Sequence, residues 1–410
     1  MQLGDGLSPC YEWCTFLTAR FAFNPLSKKG IEIFQFQTGV CLRKAAFYAI
    51  LARKGRVNGV RHVIDFGDIA PSEWRELYAL AENIWERPRD FRDALSGHVL
   101  ASLFYEPSTR TCFSFHAAMQ RLGGGVIGFS DPNVTSKAKG ETMRDTIIMV
   151  SGYSDVIVLR HPREGAALAA SLYSSCPVVN AGDGGHLHPT QTLTDLATIT
   201  RLRGGVDGLH IGLCGDLRYG RTVHSLIRAL GAFSGIQLSL ISPRELCVPP
   251  YLRRYMEDHN MRFMEATRLE AALGQLDVLY MTRIQRERFA DQKAYERLKG
   301  VYILAPQKLR NARPDLLILH PLPRVDEIHP AVDADPRAAY FQQAEIGMTI
   351  RMALLLTLAR QPKEYPPKTY PKDGVPCSYE GCITVREDYL PPLSAGGNCR
   401  YCEHPVGETP

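Results

Sequence analysis

Eight short apolar runs, separated by stretches of helical periodicity, constrain this chain more than any other feature of its sequence. They lie at 98–104, 125–129, 155–159, 177–180, 209–214, 236–241, 277–281 and 316–319. Helical patterns fall between them at 109–121, 141–152 and 163–174, and after Cys214 a helix would place Val223, Leu226, Ile227 and Leu230 on one face. Continuous apolar strands alternating with helices read as parallel βαβ units, whose strands are buried on both sides. The expected fold class is α/β: two doubly wound parallel-sheet domains in series, with a small C-terminal appendage. The 410 residues suffice for both domains, and a net charge of +5, from 48 basic and 43 acidic residues, is too mild to argue for nucleic acid. No apolar run nears the roughly 20 residues of a membrane span.

In open parallel sheets, ligands sit beyond the carboxyl ends of the strands, and the polar motifs of this chain fall there. After Val99–Tyr105 and a turn at Glu106-Pro107, Ser108-Thr109-Arg110-Thr111 opens a helix with two more hydroxyls, a guanidinium and unpaired N–H groups. Such a turn is a phosphate cradle, although a capped helix with an exposed Arg reads the same in isolation. Arg160 stands at the end of 155–159, where a surface arginine in a βα loop is the plain alternative. His186 and His188 have no third ligand at a known metal spacing, whereas a neutral His188 with Gln191 could polarise a carbonyl and hold an amide. Gly215 to Thr222 does not match the dinucleotide-binding glycine spacing and reads instead as a turn presenting Arg221. Arg283 follows 277–281, and the prolines of His320-Pro321-Leu322-Pro323-Arg324 stiffen a loop and leave its carbonyls free. The loop from Thr135 to Thr142 offers hydroxyls and lysines, and alone it is a solvated loop.

Taken in order, Ser-Thr-Arg-Thr, Lys-Gly-Glu-Thr, Arg-His-Pro, His-Pro-Thr-Gln, Gly-Arg-Thr-Val-His-Ser, Thr-Arg-Ile-Gln and His-Pro-Leu-Pro resemble the motif series of the carbamoyltransferases, and within them the aspartate carbamoyltransferase catalytic chains. The resemblance spans about 60 to 358. It implies transfer of the carbamoyl group of carbamoyl phosphate to L-aspartate, giving N-carbamoyl-L-aspartate and phosphate, a step of de novo pyrimidine (UMP) synthesis that needs no cofactor. By the resemblance, Ser108, Thr109, Arg110, Thr111 and Arg160 would hold the phosphate, while Thr111, Arg160 and His188 face the carbonyl oxygen. Gln191 and the carbonyls of Pro321 and Leu322 would bind the carbamoyl NH2, and Arg221, Arg283 and Gln285 the aspartate carboxylates. Ser136 and Lys139 match a pair supplied by a neighbouring subunit to both substrates, which implies a homotrimer with shared active sites. The catalytic set would be Arg110, Thr111, Arg160, His188 and Lys139. The ornithine branch carries Ser-Met-Gly and His-Cys-Leu-Pro, and neither occurs here. A non-catalytic scaffold is expected to have lost Arg110, His188 or Lys139. One departure is Cys112 and His116, where the family carries Arg and Glu. A neutral exchange of one i,i+4 pair for another is expected.

Cys377-x4-Cys382 and Cys399-x2-Cys402 form two close pairs, a pattern suited to tetrahedral zinc, with two disulfides or free thiols as the alternative. The segment resembles the zinc domain of the regulatory chain of the same family, including Asn398-Cys399-Arg400-Tyr401-Cys402-Glu403, and implies a docking module without an effector site. The other seven of the 11 cysteines are scattered, which with no signal peptide suggests a reducing, cytoplasmic setting. The expected division is an extension over 1–60, a carbamoyl phosphate domain over 61–195 and an aspartate domain over 196–345. A helix over 346–360 would pack back on the first domain, followed by a linker over 361–375 and the zinc segment over 376–410. The extension is aromatic-rich and acid-poor, with a basic amphipathic stretch from Cys41 to Arg56 that a presequence would also show, and no function is assigned to it.

Overall fold

The computed structural model describes residues 56–407 except 58, 136–138, 285–291, 368–369, 371–373 and 396. The N-terminal extension and its basic stretch thus fall almost wholly outside the described residues. The first lobe is a parallel sheet of β1 (Val99–Phe104), β2 (Gly125–Phe129), β3 (Val156–His161) and β4 (Val178–Asp183), in the order β2-β1-β3-β4. β3 and β4 are buried along their whole length, including the polar residues Arg160, His161, Asn180 and Asp183 toward their carboxyl ends. β2 lies on the edge, and its Ile127 is exposed. The second lobe is a parallel sheet of β5 (His210–Cys214), β6 (Gln237–Ile241), β7 (Arg262–Ala266), β8 (Val278–Met281) and β9 (Leu317–Leu319), in the order β9-β8-β5-β6-β7. β7 is the strand the apolar pattern misses: Arg-Phe-Met-Glu-Ala sits on the outer edge, largely exposed, so nothing requires a continuous apolar run.

The helices connect and cover these sheets. α1 (Pro71–Glu86) starts at a proline, and the Glu73 carboxylate accepts the Ala70 N–H at 2.7 Å while pairing with buried Arg61 at 3.0 Å. α2 (Thr109–Arg121), α3 (Met143–Tyr153), α4 (Ala166–Tyr173) and α5 (Pro189–Arg203) complete the first lobe; α6 (Arg221–Leu230), α7 (Pro250–Asp258) and α8 (Gln292–Leu298) belong to the second. The chain then returns: α9 (Tyr340–Leu358), which begins six residues before the expected start at 346, packs on α1, α2 and α5. From Thr349 onward it is buried on every side, with Leu354, Leu355, Leu356 and Leu358 all inside, whereas Phe341, Gln342, Ala344 and Glu345 in its first turns are exposed. Each such leucine contributes roughly 1.5–3 kcal/mol. Among the described residues no helix is long and apolar enough to cross a membrane.

Cys112 and His116 do make an i,i+4 contact, but not one that replaces a surface ion pair. Cys112 is buried, with its Sγ 3.4 Å from His116 Nε2, and that nitrogen lies 2.9 Å from Ser102 Oγ on β1. The pair is a polar joint between helix and sheet.

The cysteine-rich tail docks on its own chain. Glu164 N–H donates to the Gly381 carbonyl at 3.0 Å, and Ile383 N–H to the Glu164 carbonyl at 2.9 Å. Half of α4 is alanine, so the tail packs close: Cys382, Ile383, Leu390 and Tyr401 share one core with Ala166, Ala167 and Ala170. Gly165, before α4, has a φ of 80°, and a Cβ there would fall 2.4–2.6 Å from Tyr401. Gly165→Ala should therefore cost more than the 1–2 kcal/mol of a left-handed residue alone. Its measure is faster proteolytic cleavage in the 361–375 linker together with a lower melting temperature; unchanged cleavage would count against this docking.

Candidate active site

One cleft of about 270 Å³ lies where the carboxyl ends of both sheets meet. Three helix N-termini open onto it. α2 brings Ser108, Arg110 and Thr111, α5 brings His188 and Gln191, and α6 brings Arg221 after Gly220. None of the three is capped by its own N-cap side chain, which leaves first-turn N–H donors and the positive helix end for a bound anion. Arg160 enters from the end of β3, Arg283 from beyond β8, and Pro321 and Leu322 from beyond β9.

Of the residues expected at the site, the structure thus brings ten to one cleft. Thr109 does not line it and is exposed at the start of α2; Lys139 is likewise exposed and does not line it. Ser136 and Gln285 lie outside the described residues. The sequence reading missed Glu106, Asp195, Gln343 and Arg351.

Among the described residues, five guanidinium groups line this cleft: Arg110, Arg160, Arg221, Arg283 and Arg351. Burial and the neighbouring Arg221 pull the Arg160 pKa down to about 9, against the pull of Glu106. Burial and Arg283 lower that of Arg110. Burial lowers that of Arg351 to about 10, partly offset by Asp195. The cleft is therefore a concentration of desolvated positive charge, and an entering anion relieves it. Glu106, in the turn between β1 and α2, carries part of the compensation. Its Oε2 lies 2.9 Å from Arg160 Nη2 and 3.4 Å from Arg221 Nη1, so one carboxylate ties an arginine of each lobe. Arg160 also donates to the Ala181 carbonyl at 3.2 Å and Arg221 to that of Gly184 at 2.5 Å.

His188 is fully buried, and desolvation together with Arg221, Arg160 and Arg351 holds its pKa well below the ordinary histidine value. It is a neutral imidazole at working pH and can donate to an oxygen without adding a charge. Gln191 donates its Nε2 to Asp195 Oδ1 at 2.7 Å, which leaves its Oε1 as an acceptor for an NH2 group. Asp195 is a hub. It also receives Gln343 Nε2 at 2.6 Å and Tyr280 Oη at 3.0 Å, and burial raises its pKa to about 7. The proline loop is held by His320: Leu322 N–H donates to its Nδ1 at 2.8 Å and its Nε2 lies 2.7 Å from Glu327. Positively charged donors, a neutral histidine and an oriented amide together suit acyl-type transfer between two anions.

The four tail cysteines converge as well. Their sulfurs lie within 4.8 Å of one another, with Cys377 and Cys402 3.6 Å apart and Cys382 and Cys399 3.9 Å apart. A tetrahedral zinc with Zn–S bonds of about 2.3 Å sets sulfurs about 3.8 Å apart, so these residues fit that ion.

Residues 61–201 match the model of the aspartate/ornithine carbamoyltransferase carbamoyl-P binding domain, and 207–358 that of the Asp/Orn binding domain. The aspartate carbamoyltransferase catalytic subunit of Clostridium novyi is 54% identical over 295 residues, covering 72% of this chain and 96% of that one. The catalytic subunit of M. jannaschii aspartate transcarbamoylase superposes with a TM-score of 0.68 at 47% identity, over 72% of this chain and 96% of that one. Aspartate transcarbamoylase from Trypanosoma cruzi, in complex with carbamoyl phosphate and aspartate, gives 0.68 at 37% identity, over 72% and 95%.

The cleft geometry is tested at Gly182. Its φ is 115°, and a Cβ would come 2.9 Å from Arg160 Nη1 and 3.3 Å from Arg221 Cζ. Gly182→Ala should displace both guanidinium groups and weaken binding of inorganic phosphate by at least about tenfold, the loss of roughly one charged hydrogen bond. Titration calorimetry reads it, and unchanged phosphate affinity would refute the arrangement.

Proposed function

The chain belongs to the aspartate/ornithine carbamoyltransferase family, and we propose how its residues carry out the reaction of the aspartate branch. It is a transferase that moves the carbamoyl group of carbamoyl phosphate to the amino group of L-aspartate, yielding N-carbamoyl-L-aspartate and phosphate for pyrimidine synthesis. The observation that carries the assignment is the match to aspartate carbamoyltransferase catalytic subunits along almost their full length.

In this reading the N-terminus of α2, with Ser108, Thr109, Arg110 and Thr111, binds the phosphate of carbamoyl phosphate together with Arg160. The free amine of aspartate attacks the carbamoyl carbon; the C–N bond forms, the C–O bond to phosphate breaks, and phosphate departs with a proton. Negative charge grows on the carbamoyl oxygen in between, where Thr111, Arg160 and neutral His188 donate to it. Gln191, fixed by Asp195, accepts from the carbamoyl NH2 together with the Pro321 and Leu322 carbonyls. Arg221, Arg283 and Gln285 take the carboxylates. Arginines that bind both anions offset the repulsion between them, and this positioning supplies much of the acceleration. No cofactor takes part.

Lys139 and Ser136 act in a neighbouring subunit's cleft within a homotrimer. The exposure of Lys139, which does not line its own cleft, supports this, as do the exposed apolar side chains Phe113, Ile127, Ile148 and Met149 on α2, β2 and α3. Cys377, Cys382, Cys399 and Cys402 hold one structural zinc that staples the tail. The enzyme works in the cytoplasm, and neither nucleic acid nor a membrane is a partner.

With carbamoyl phosphate, aspartate but not ornithine should be carbamoylated, and Arg283→Ala should raise the aspartate KM at least about tenfold, as expected for one lost charged hydrogen bond. Carbamoylation of ornithine instead would refute the assignment. Elemental analysis should find one zinc per chain, and Cys402→Ser should abolish it and leave the tail open to protease. A protein that holds no zinc, with all four thiols free and the tail still resistant, would refute the metal.

A further inference from the structure

Glu403, the residue after the fourth cysteine, stands where the tail and both lobes meet. Its carboxylate takes both terminal nitrogens of Arg228, with Nη1–Oε1 at 3.0 Å, and its Oε2 lies 3.4 Å from His186 Nε2. Arg228 sits in the last turn of α6, the second-lobe helix whose first residue is Arg221. His186 lies in the first-lobe turn between β4 and α5, two residues before His188. The series continues on both sides. Arg228 Nη1 is 3.8 Å from Asp65, and His186 Nδ1 is 3.4 Å from Asp183, whose other oxygen accepts the Leu187 N–H at 3.1 Å. Acid and base thus alternate from Asp65 through Arg228, Glu403 and His186 to Asp183.

Two features set this apart from a surface ion pair. The side chains of Arg228 and His186 are only 16% and 10% exposed, although that of Glu403 is 44% exposed, and His186 Nε2 is buried with no hydrogen bond, so Asp183 on one ring nitrogen and the Glu403 carboxylate on the other together offset its charge. Burial works against a charged His186, yet Asp183 and Glu403 outweigh it and lift its pKa to about 10. Second, Glu403 has a φ of 62°, the left-handed region where glycine is at home. A glutamate there is strained, and its two cationic partners offset that strain.

We propose that Glu403 is a positioning residue: the docked tail, through this carboxylate, fixes the two lobes at the spacing that puts Arg221 and His188 in one cleft. The inference rests on the carbamoyl-transfer reading above. The groups assigned to carbamoyl phosphate in this cleft come mainly from the first lobe, whereas Arg221 and Arg283 come from the second. Loss of the bridge therefore falls on aspartate.

Glu403→Gln removes the charge at constant volume, and Glu403→Gly removes the side chain while relieving the backbone. Both should raise the aspartate KM about tenfold, the scale of a lost charged hydrogen bond. The carbamoyl phosphate KM and saturated kcat should stay within about twofold, and zinc content should not change. Relief of the left-handed backbone offsets part of the stability that the glycine variant loses with the carboxylate, so its melting temperature should lie above that of Glu403→Gln while its aspartate KM worsens equally. Arg228→Met combined with Glu403→Gln should be no worse than the worse single variant, since both break one bridge. Small-angle scattering reads the lobe spacing without turnover: the radius of gyration of the full chain should grow in Glu403→Gln. Failure of the wild type to make N-carbamoyl-L-aspartate would overturn the function and leave this scattering test standing. An aspartate KM and a scattering curve equal to wild type would overturn the bridge.

Discussion

Like charges held close together in one partly buried cleft are the constraint around which this molecule is organised. Five guanidinium groups share a space of about 270 Å³, and the protein has to hold them there before any substrate arrives. Three of them are restrained by specific partners. Glu106 takes Arg160 and Arg221, the Ala181 and Gly184 carbonyls take them again, and Arg351 reaches Ser114 Oγ at 2.9 Å. Gly182 contributes by having no Cβ where the guanidinium groups pass. Repulsion stored this way costs folding free energy and is recovered when anions bind, which is the essence of electrostatic preorganisation.

Parallel sheets make that concentration possible. All strands of a lobe point the same way, so their carboxyl ends, and the N-termini of the helices that follow, crowd one edge. Two such lobes facing each other bring three positive helix ends together with the arginines. Asp195 and α9 then lock the lobes' inner surfaces: Asp195 on α5 receives Gln343 from α9 and Tyr280 from β8, both buried. The amide that would recognise the carbamoyl group is oriented by the same carboxylate.

What the sequence disclosed and what it concealed divide along physical lines. Strands buried on both faces favour apolar residues, so the apolar stretches that open β1, β3 and β4 were legible; β7, exposed on an edge, had no such need and stayed hidden. Ser108, Arg110, Arg160, His188 and Arg221 were legible because they stand at strand ends in recognisable order. Glu106 and Arg351 were not, since each works through a partner 54 or more residues away, and Asp195, though Gln191 stands at i−4, takes its other partners from 85 and 148 residues away. A lone Glu in a turn and an Asp inside a helix carry no local mark of such a role. Cys112 and His116 show the converse: their spacing was legible, but their burial against Ser102 was not.

The tail poses a different problem, because so short a segment cannot bury a core of its own. The chain's solution has two parts. Four thiols are brought to metal-binding distance, and the apolar side chains Ile383, Leu390 and Tyr401 are pressed into the alanine surface of α4. Once that docking is fixed, the position of Glu403 follows from it, one residue beyond Cys402 and held by Cys399 through a 2.8 Å backbone bond. A residue anchored so firmly can transmit force where a flexible one could not. That its backbone is strained while its carboxylate spans both lobes argues that the tail restrains the lobes as well as being held by them.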